Sequence, residues 1–460
     1  MKAIAIKGRL TFRGGVHPPE NKELTENCEI QPGPTVNAVA IPLSQHTGTI
    51  CEPLVKKGDK VQAGQKIGDN PAFVSAPVHS PINGVVKEIS LQPHAVLGRC
   101  MGIVIEADAQ NNPAGQPSPE KFGKDFDPSR HSVQQICDCA RQGGLVGMGG
   151  AGFPTAVKIT PNPKQPKEIL IINGCECEPY ITCDYRLMLE WTYQVIAGIK
   201  LARQATGCSK VFVAIEDNKP KAVEVMKDAI GNSKDCQDIL VLSVKTKYPQ
   251  GGERQLIESV LGRNVPTGGI PPMIGVVVLN VATCAAIAEA VVLGNPLTHR
   301  VVTVTGQAVA RGGNFYVPIG TSIGALLEFC GGATEKSAKV VVGGPMMGLA
   351  ISDLSTPVTK TTGAVTILTE RQIGRAKLLR QQTACIRCGR CIESCPERLN
   401  PTRIAHAVKY NNLDLAQQYY ITACMECGNC SYVCPANIEL TGYIKTGKVL
   451  LARQKKKMPE

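Results

Sequence analysis

The chain has 460 residues, a formal charge of +12 and 20 cysteines, too long for one compact core, so several domains are expected. Hydrophobic residues at 43% and charged residues at 19% exclude a disordered chain, and 46 glycines without a G-X-Y period exclude collagen. Aromatics at 4% and basic residues spread along the chain argue against nucleic acid as a partner.

The N-terminus, MKAIAIKGRLTFRGG, has Lys7 and Arg9 where a signal peptide needs an apolar core. A disulfide scaffold is small and secreted, so a reducing cytosol is expected, with Cys208, Cys236 and Cys330 as buried small hydrophobes. Residues 35–88 read as short strands with turns at Gly58-Asp59 and Gly64-Gln65. Pro77 and Pro81 limit pairing, and Asn83-Gly84 predicts a tight hairpin turn. This stretch resembles the lipoyl/biotinyl barrel-sandwich fold. No lysine stands between Gly68 and Ser80, so a structural role without lipoylation is expected. Residues 107–130 are polar and proline-rich, a linker or long loop.

From residue 131 the texture is α/β. HSVQQICDCARQGG predicts a helix ending at Gly143-Gly144. Strands are predicted at Glu168–Asn173, Lys210–Ile215, Ile239–Val244 and Gly275–Asn280, and helices near 184–206, 219–231, 252–262 and 282–293. The alternation predicts a mostly parallel sheet covered on both faces. Met273 to Gly294 imitates a membrane span, with Glu289 as its one charge. Its β-branched Val276–Val278 run followed by alanines predicts a buried strand and a packed helix instead. Residues 299–350 return to β texture through RVVTVTG, NFYVPIGTSIGALLEF and AKVVVGGPMMG. Beyond about residue 370 the pattern is helical, including Pro401–Tyr419. Arg453, Lys455, Lys456 and Lys457 form a basic block, read as a solvated tail, with an anionic membrane surface or acidic partner as the alternative.

The strongest chemical signal is Cys385-x-x-Cys388-x-x-Cys391-x-x-x-Cys395-Pro396, repeated as Cys424, Cys427, Cys430 and Cys434-Pro435. Two-residue gaps let one turn aim three thiolates at a single cubane while intervening N–H groups face its sulfurs. The run is similar to that of bacterial two-cluster ferredoxins, where the fourth cysteine ligates the other cluster. That resemblance implies one 4Fe–4S cluster on Cys385, Cys388, Cys391 and Cys434, and another on Cys424, Cys427, Cys430 and Cys395. Structural zinc on four-cysteine sites is the alternative, but zinc needs no third constant gap and no trailing Cys-Pro. Arg387, Arg390 and Arg398 stand near the runs.

Residues 143–158, GGLVGMGGAGFPTAVK, form a glycine-rich loop of the kind that brings backbone N–H groups to phosphate. It lacks the preceding strand of a dinucleotide fingerprint and the ending of a P-loop. NGCECEPY (173–180) follows the strand EILIIN, at the end where open α/β sheets bind ligands. YPQGGERQLI (248–257) and VLNVAT (278–283) also lie at strand ends or helix starts, which suggests one shared crevice.

These segments in this order, with the twin cysteine runs and the GRLTFRGGVHPP opening, resemble the RnfC family, part of the Rnf complex, the ferredoxin:NAD oxidoreductase of bacterial membranes. The centre is similar to the NADH-oxidising flavoprotein of respiratory complex I. The resemblance implies a multidomain α/β protein. Residues 1–120 would be an unmodified barrel-sandwich β domain with linker, and 121–298 a Rossmann-like α/β domain for FMN and NAD(H). Residues 299–365 would be a small SLBB-like β domain, 366–446 a helical twin-cluster ferredoxin domain, and 447–460 a basic tail. By position, Gly147, Gly149, Gly150, Gly152 and Lys158 would line non-covalent FMN, with Phe153 beside the nucleotide and Asn173 at the ring edge. Glu176 and Glu178 would face the flavin and the nicotinamide side, Tyr248, Gly251 and Glu253 would flank both sites, and Asn280 and Thr283 would close the pocket. Cys175 stands where the complex I relative has Asp, and one Asn in place of two precedes Val281.

The implied function is electron exchange between NAD(H) and ferredoxin, through FMN and two 4Fe–4S clusters, by a peripheral protein on the cytoplasmic face of the membrane. Its partners would be the other members of the complex, one of them an iron–sulfur protein. A non-catalytic iron–sulfur relay and a soluble diaphorase are the alternatives. Cys175, Cys177 and Cys183 read as core or pocket-lining residues, with metal ligation as the alternative. His299 and His406 read as ordinary polar residues, and Met346-Met347 as core or turn.

Overall fold

The structure is a computed structural model and describes residues 8–108, 116–334, 336–373 and 382–457. The first β module has two sheets. One runs in spatial order Ala38–Pro42, Gly98–Ala107, Gly84–His94 and Lys60–Val61; the other runs Glu52–Pro53, Lys66–Asp69 and Val78–His79. Alternate residues Val39, Ile41, Ile67, Val78, Val86, Ile103 and Ile105 bury between them, as period-two strands require. Asn83-Gly84 does not close the expected hairpin, because the strands on either side belong to different sheets. Gly84 is needed for close approach: an added Cβ would lie 2.0 Å from the Glu106 carbonyl oxygen.

The central sheet is parallel, in the order Ile239–Val244, Lys210–Glu216, Ile169–Gly174, Val276–Asn280. Its strands are almost wholly apolar, since helices cover both faces. The helix expected over 184–206 is two helices, Cys183–Glu190 and Thr192–Thr206, separated at Trp191. The indole turns edge-on to Tyr316, 5.6 Å between ring centres. Val276–Asn280 is a strand and Val281–Ala288 a helix, and among the described residues no helix is long and apolar enough to cross a membrane.

The third module is a six-stranded sheet in the order Ile30–Pro32, Gly313–Pro318, His299–Thr305, Ala364–Thr369, Ser337–Val342, Leu349–Ile351. Part of its expected β texture is the helix Ile323–Phe329, capped by the Ser322 hydroxyl, which buries Ile323, Leu326 and Leu327 at helical spacing. This sheet reaches beyond the expected third domain. Residues 30–32 of the expected first domain pair with 314–316, and position 365 lies inside a strand. The longer C-terminal helices are Pro401–Lys409, Leu413–Gln418 and Leu440–Lys457, with single turns at Arg390–Glu393 and Asn429–Tyr432. Pro401–Tyr419 is therefore not continuous: Asn411 adopts φ 54° and breaks it. The expected tail from 447 continues the last helix to Lys457, with Leu451 buried against its neighbours.

Lys360 joins three modules. Its buried ammonium donates to the Pro77 carbonyl at 2.6 Å and to the Gly144 carbonyl, at the start of the glycine-rich loop, at 2.7 Å. Burial, with a smaller push from Arg141 and against Cys51 and Asp69, brings its pKa from 10.5 to about 7. The folded chain sheds this proton near pH 7 and the unfolded chain holds it to 10.5, so this group makes stability rise with pH across that interval. Urea midpoints should therefore increase between pH 7 and about pH 9, and Lys360→Met should flatten that slope.

Candidate functional site

The two cysteine runs fold as one unit repeated at an offset of 39 residues. Arg387 and Glu426 both take the left-handed conformation, φ 58° and 62°, and so do Arg398 and Asn437. These costly backbone states turn amides toward sulfur. Arg387 N–H donates to Cys385 Sγ at 3.4 Å and Glu426 N–H to Cys424 Sγ at 3.3 Å. Thr402 lies 3.1 Å from Cys391 Sγ and Thr441 lies 3.4 Å from Cys430 Sγ.

Cys385, Cys388, Cys391 and Cys434 together line a cavity of about 450 Å³, with Arg387, Arg403 and Ile438 on its walls. Burial raises the thiol pKa values of Cys427 and Cys430, and the nearness of Cys395 pushes both further up. Cys424 acts on Cys395 in the same direction, again after the larger effect of burial. Cys385, Cys388, Cys391 and Cys434 around one cavity, and Cys395 near Cys424, Cys427 and Cys430, are donor sets of four sulfurs ringed by N–H and hydroxyl groups that suit a cubane, although Cys391 also lies near Cys430. Cys385 and Cys388 are exposed, whereas Cys427 and Cys430 are buried.

At the carboxyl edge of the parallel sheet, Asn173 and Asn280 occupy paired positions on neighbouring strands. Asn173 bridges two segments: its Nδ2 donates to the Gly251 carbonyl at 2.8 Å, and its Oδ1 accepts from Cys175 N–H at 3.1 Å. Asn280 Oδ1 caps the helix Val281–Ala288 through Ala282 N–H at 2.8 Å, and its Nδ2 donates to Asp184 at 2.5 Å. Thr283 Oγ1 accepts from Met148 N–H at 3.0 Å and so ties down the glycine-rich loop. Gly149 fits because any Cβ there would lie 2.8 Å from Asn280 Nδ2, while space beside Gly150 is open. Lys158 pairs with Glu253 at 2.7 Å and donates to the Val278 carbonyl at 3.2 Å. Gly152 (φ +68°) turns its carbonyl away to accept from Thr47 N–H at 3.1 Å, which docks the first β module on the loop. Phe153 is half-buried at the end of the same loop, its carbonyl accepting from Gly147 N–H at 2.9 Å.

The two glutamates both hold backbone amides. Glu176 accepts from the Asp184 and Tyr185 amides at 2.6 and 3.3 Å, at the start of the helix Cys183–Glu190. Burial raises its pKa to about 7, against the pull of Lys22. Glu178 accepts from Met346 and Met347 N–H at 2.6 and 3.1 Å, so it meets the third module. Both carboxylates satisfy backbone amides that burial would otherwise strand. Met346-Met347 is a turn, as expected, and one that contacts the site. Glu176, Cys183 and Asp184 bring ligand atoms within 4.8 Å of one another. Arg300, buried beside Cys183 and Asp184, already supplies the positive charge there.

Tyr248 links the crevice to the cysteine unit. It is 2% exposed, and its hydroxyl donates to the Cys427 carbonyl at 2.9 Å. Val16, Cys177, Met346 and Met425 pack around this contact. Val16 and Tyr248 also exchange backbone hydrogen bonds at 2.9 Å. Four buried polar residues beneath the crevice give no signal in the sequence: Lys22, Asp184, Glu216 and Lys219. A lysine followed by Glu-Leu in a polar opening carries no spacing pattern; burial alone marks it.

Comparison with known proteins agrees with this layout. Residues 10–110 match the RnfC barrel sandwich hybrid domain, 140–289 the Nuo51 FMN-binding domain, 301–350 the SLBB domain, and 377–435 a 4Fe-4S dicluster domain. The corresponding protein of the proton-translocating ferredoxin:NAD(+) oxidoreductase complex of Clostridium ljungdahlii is 43% identical, covering 86% of this chain and 84% of that protein. The chain belongs to the RnfC family of ion-translocating ferredoxin:NAD(+) oxidoreductase complexes. The Na(+)-translocating relative from Acetobacterium woodii is 40% identical, covering 88% of each. An NAD+-reducing NiFe hydrogenase structure is 23% identical with a TM-score of 0.49, covering 67% of this chain and 57% of that one. This RnfC-family chain is thus an electron-transfer oxidoreductase component of a multi-protein complex, with FMN and two 4Fe–4S clusters as cofactors.

Tyr248→Phe strands the buried Cys427 carbonyl and should cost about 1–3 kcal/mol in urea unfolding of the holoprotein. An unchanged midpoint would show that this carbonyl has another partner.

Proposed function

We propose that this chain exchanges electrons between NAD(H) and ferredoxin as the peripheral, cytoplasmic-face member of a membrane-bound ion-translocating complex. FMN supplies two-electron exchange with nicotinamide and one-electron exchange with iron–sulfur clusters. Gly147, Gly149 and Gly150 would hold its phosphate side, where the loop lies open. Gly152, Phe153, Asn173, Gly251, Asn280 and Thr283 would frame the ring, with Lys158 and its partner Glu253 as the charged pair at the rim. No acid–base pair is required of the protein; its residues position, exclude water and set charge. The amide contacts of Glu176 and Glu178 support a shaping role for both, with Glu178 tying the crevice to the third module.

The observation that carries the reading is the buried Tyr248–Cys427 contact, which joins a flavin-type crevice to one cysteine set within a single chain. The set of Cys395, Cys424, Cys427 and Cys430 lies on the crevice side. The set of Cys385, Cys388, Cys391 and Cys434 opens to solvent beside exposed Ile386, Arg387, Arg390 and Arg403. That rim suits an acidic iron–sulfur partner protein.

An anaerobic spectrum titrated with NADH tests the reading. Bleaching of a flavin band together with the broad iron–sulfur absorbance is expected; a colourless preparation would sink it. Cys424→Ala should retain NADH-dependent flavin bleaching but leave the remaining cluster unreduced. Cys388→Ala should leave one cluster that NADH still reduces, read by electron paramagnetic resonance. Equal behaviour of the two variants would refute the assigned order.

A further inference from the structure

We propose that Lys22, on the N-terminal segment, is a positioning residue for the crevice, setting residues 176–181 from behind. This rests on the reading of the crevice as a flavin site. The Lys22 side chain is 6% exposed, and its ammonium spends all three donors on one segment. It donates to the carbonyls of Glu176 at 2.8 Å, Glu178 at 3.0 Å and Ile181 at 2.6 Å. That segment joins the strand Ile169–Gly174 to the helix Cys183–Glu190 and carries two non-glycine residues in the left-handed region, Glu176 at φ 50° and Tyr180 at φ 73°. Such backbone persists only where its surroundings over-determine it.

A second ammonium completes the hold. Lys219 Nζ donates to the Cys175 carbonyl at 2.8 Å, to Asn218 at 3.0 Å and to Glu216 at 3.2 Å. The segment bearing Lys22 is docked on both sides: Tyr180 N–H donates to the Glu20 carbonyl at 2.7 Å, and Thr25 meets Thr182 at 2.8 Å. Burying an ammonium is costly, and an apolar side chain would fill the space without that cost. Burial lowers the Lys22 pKa and Lys219 adds to that, while the facing Glu176, Glu216 and Cys177 oppose it. Lys22 and Lys219 place two ammonium groups under the carboxyl edge of the sheet, where charge tunes a bound flavin.

Lys22→Met and Lys22→Arg in the full, cluster-loaded chain test this. Lys22→Met is expected to speed amide exchange of residues 176–181 by about tenfold or more and to weaken FMN by a similar factor. It should also lower the flavin midpoint potential, with Lys210–Glu216 still protected and cluster content unchanged. Lys22→Arg, which keeps the charge, should hold the potential near the native value. Native exchange and native FMN affinity in Lys22→Met would overturn the proposal. Should Lys22→Met fail to fold, Lys22→Gln is read by the same measurements. If the native chain bound no FMN, the flavin reading would fall, and exchange at 176–181 would still decide the role of Lys22.

Discussion

Ile169–Gly174 and Val276–Asn280 pair in parallel with Asn173 beside Asn280, and the crevice is built outward from that register. A one-residue slip of either strand would turn its amide into the apolar layers that flank the sheet. With the register kept, Asn173 reaches the Gly251 carbonyl, and Asn280 caps a helix while bounding the glycine-rich loop. Thr283, one turn into that helix, receives the Met148 amide. Three segments far apart in the chain are thereby anchored to two adjacent strand ends.

The modules meet around this edge through few contacts, most of them buried or half-buried. Lys360 ties the first β module and the third to the start of the glycine-rich loop. Glu178 ties the crevice to the turn at Met346-Met347. Tyr248, Gln255 and Glu258 receive the cysteine unit through Cys427, Glu397 and Arg398. The segment from Leu10 to Pro32 touches each neighbour in turn: the Ser259 carbonyl, Ser394, Tyr248, the 176–181 segment and the third sheet. Each contact desolvates polar groups, so it is tolerable only because nearly every donor and acceptor finds a partner.

The cysteine unit solves a different problem, holding sulfur ligands in a repeated geometry on short local turns. Left-handed residues at matching positions in both halves direct amides to sulfur, and Thr402 and Thr441 add matching hydroxyls. The halves then differ in surroundings. One is packed against Tyr248 and Met425, the other is open at Cys385 and Cys388. Identical local chemistry in unlike environments gives two centres with distinct neighbours.

The eight cysteines, the glycine-rich loop and the four apolar strands were legible in the sequence because each depends on spacing within a few residues. So was the RnfC family, carried by motif order along the chain. The orientation of Glu176 and Glu178, the Asn83-Gly84 crossing and the extra strand Ile30–Pro32 were not, since local patterns do not say which sheet a strand joins or which amide a carboxylate meets. Lys22 lies 154 residues from Glu176 and Tyr248 lies 179 from Cys427. Contacts at such separations arise from the burial of whole modules against one another. Local spacing therefore determined what chemistry the chain holds, and tertiary packing decided how its parts face one another.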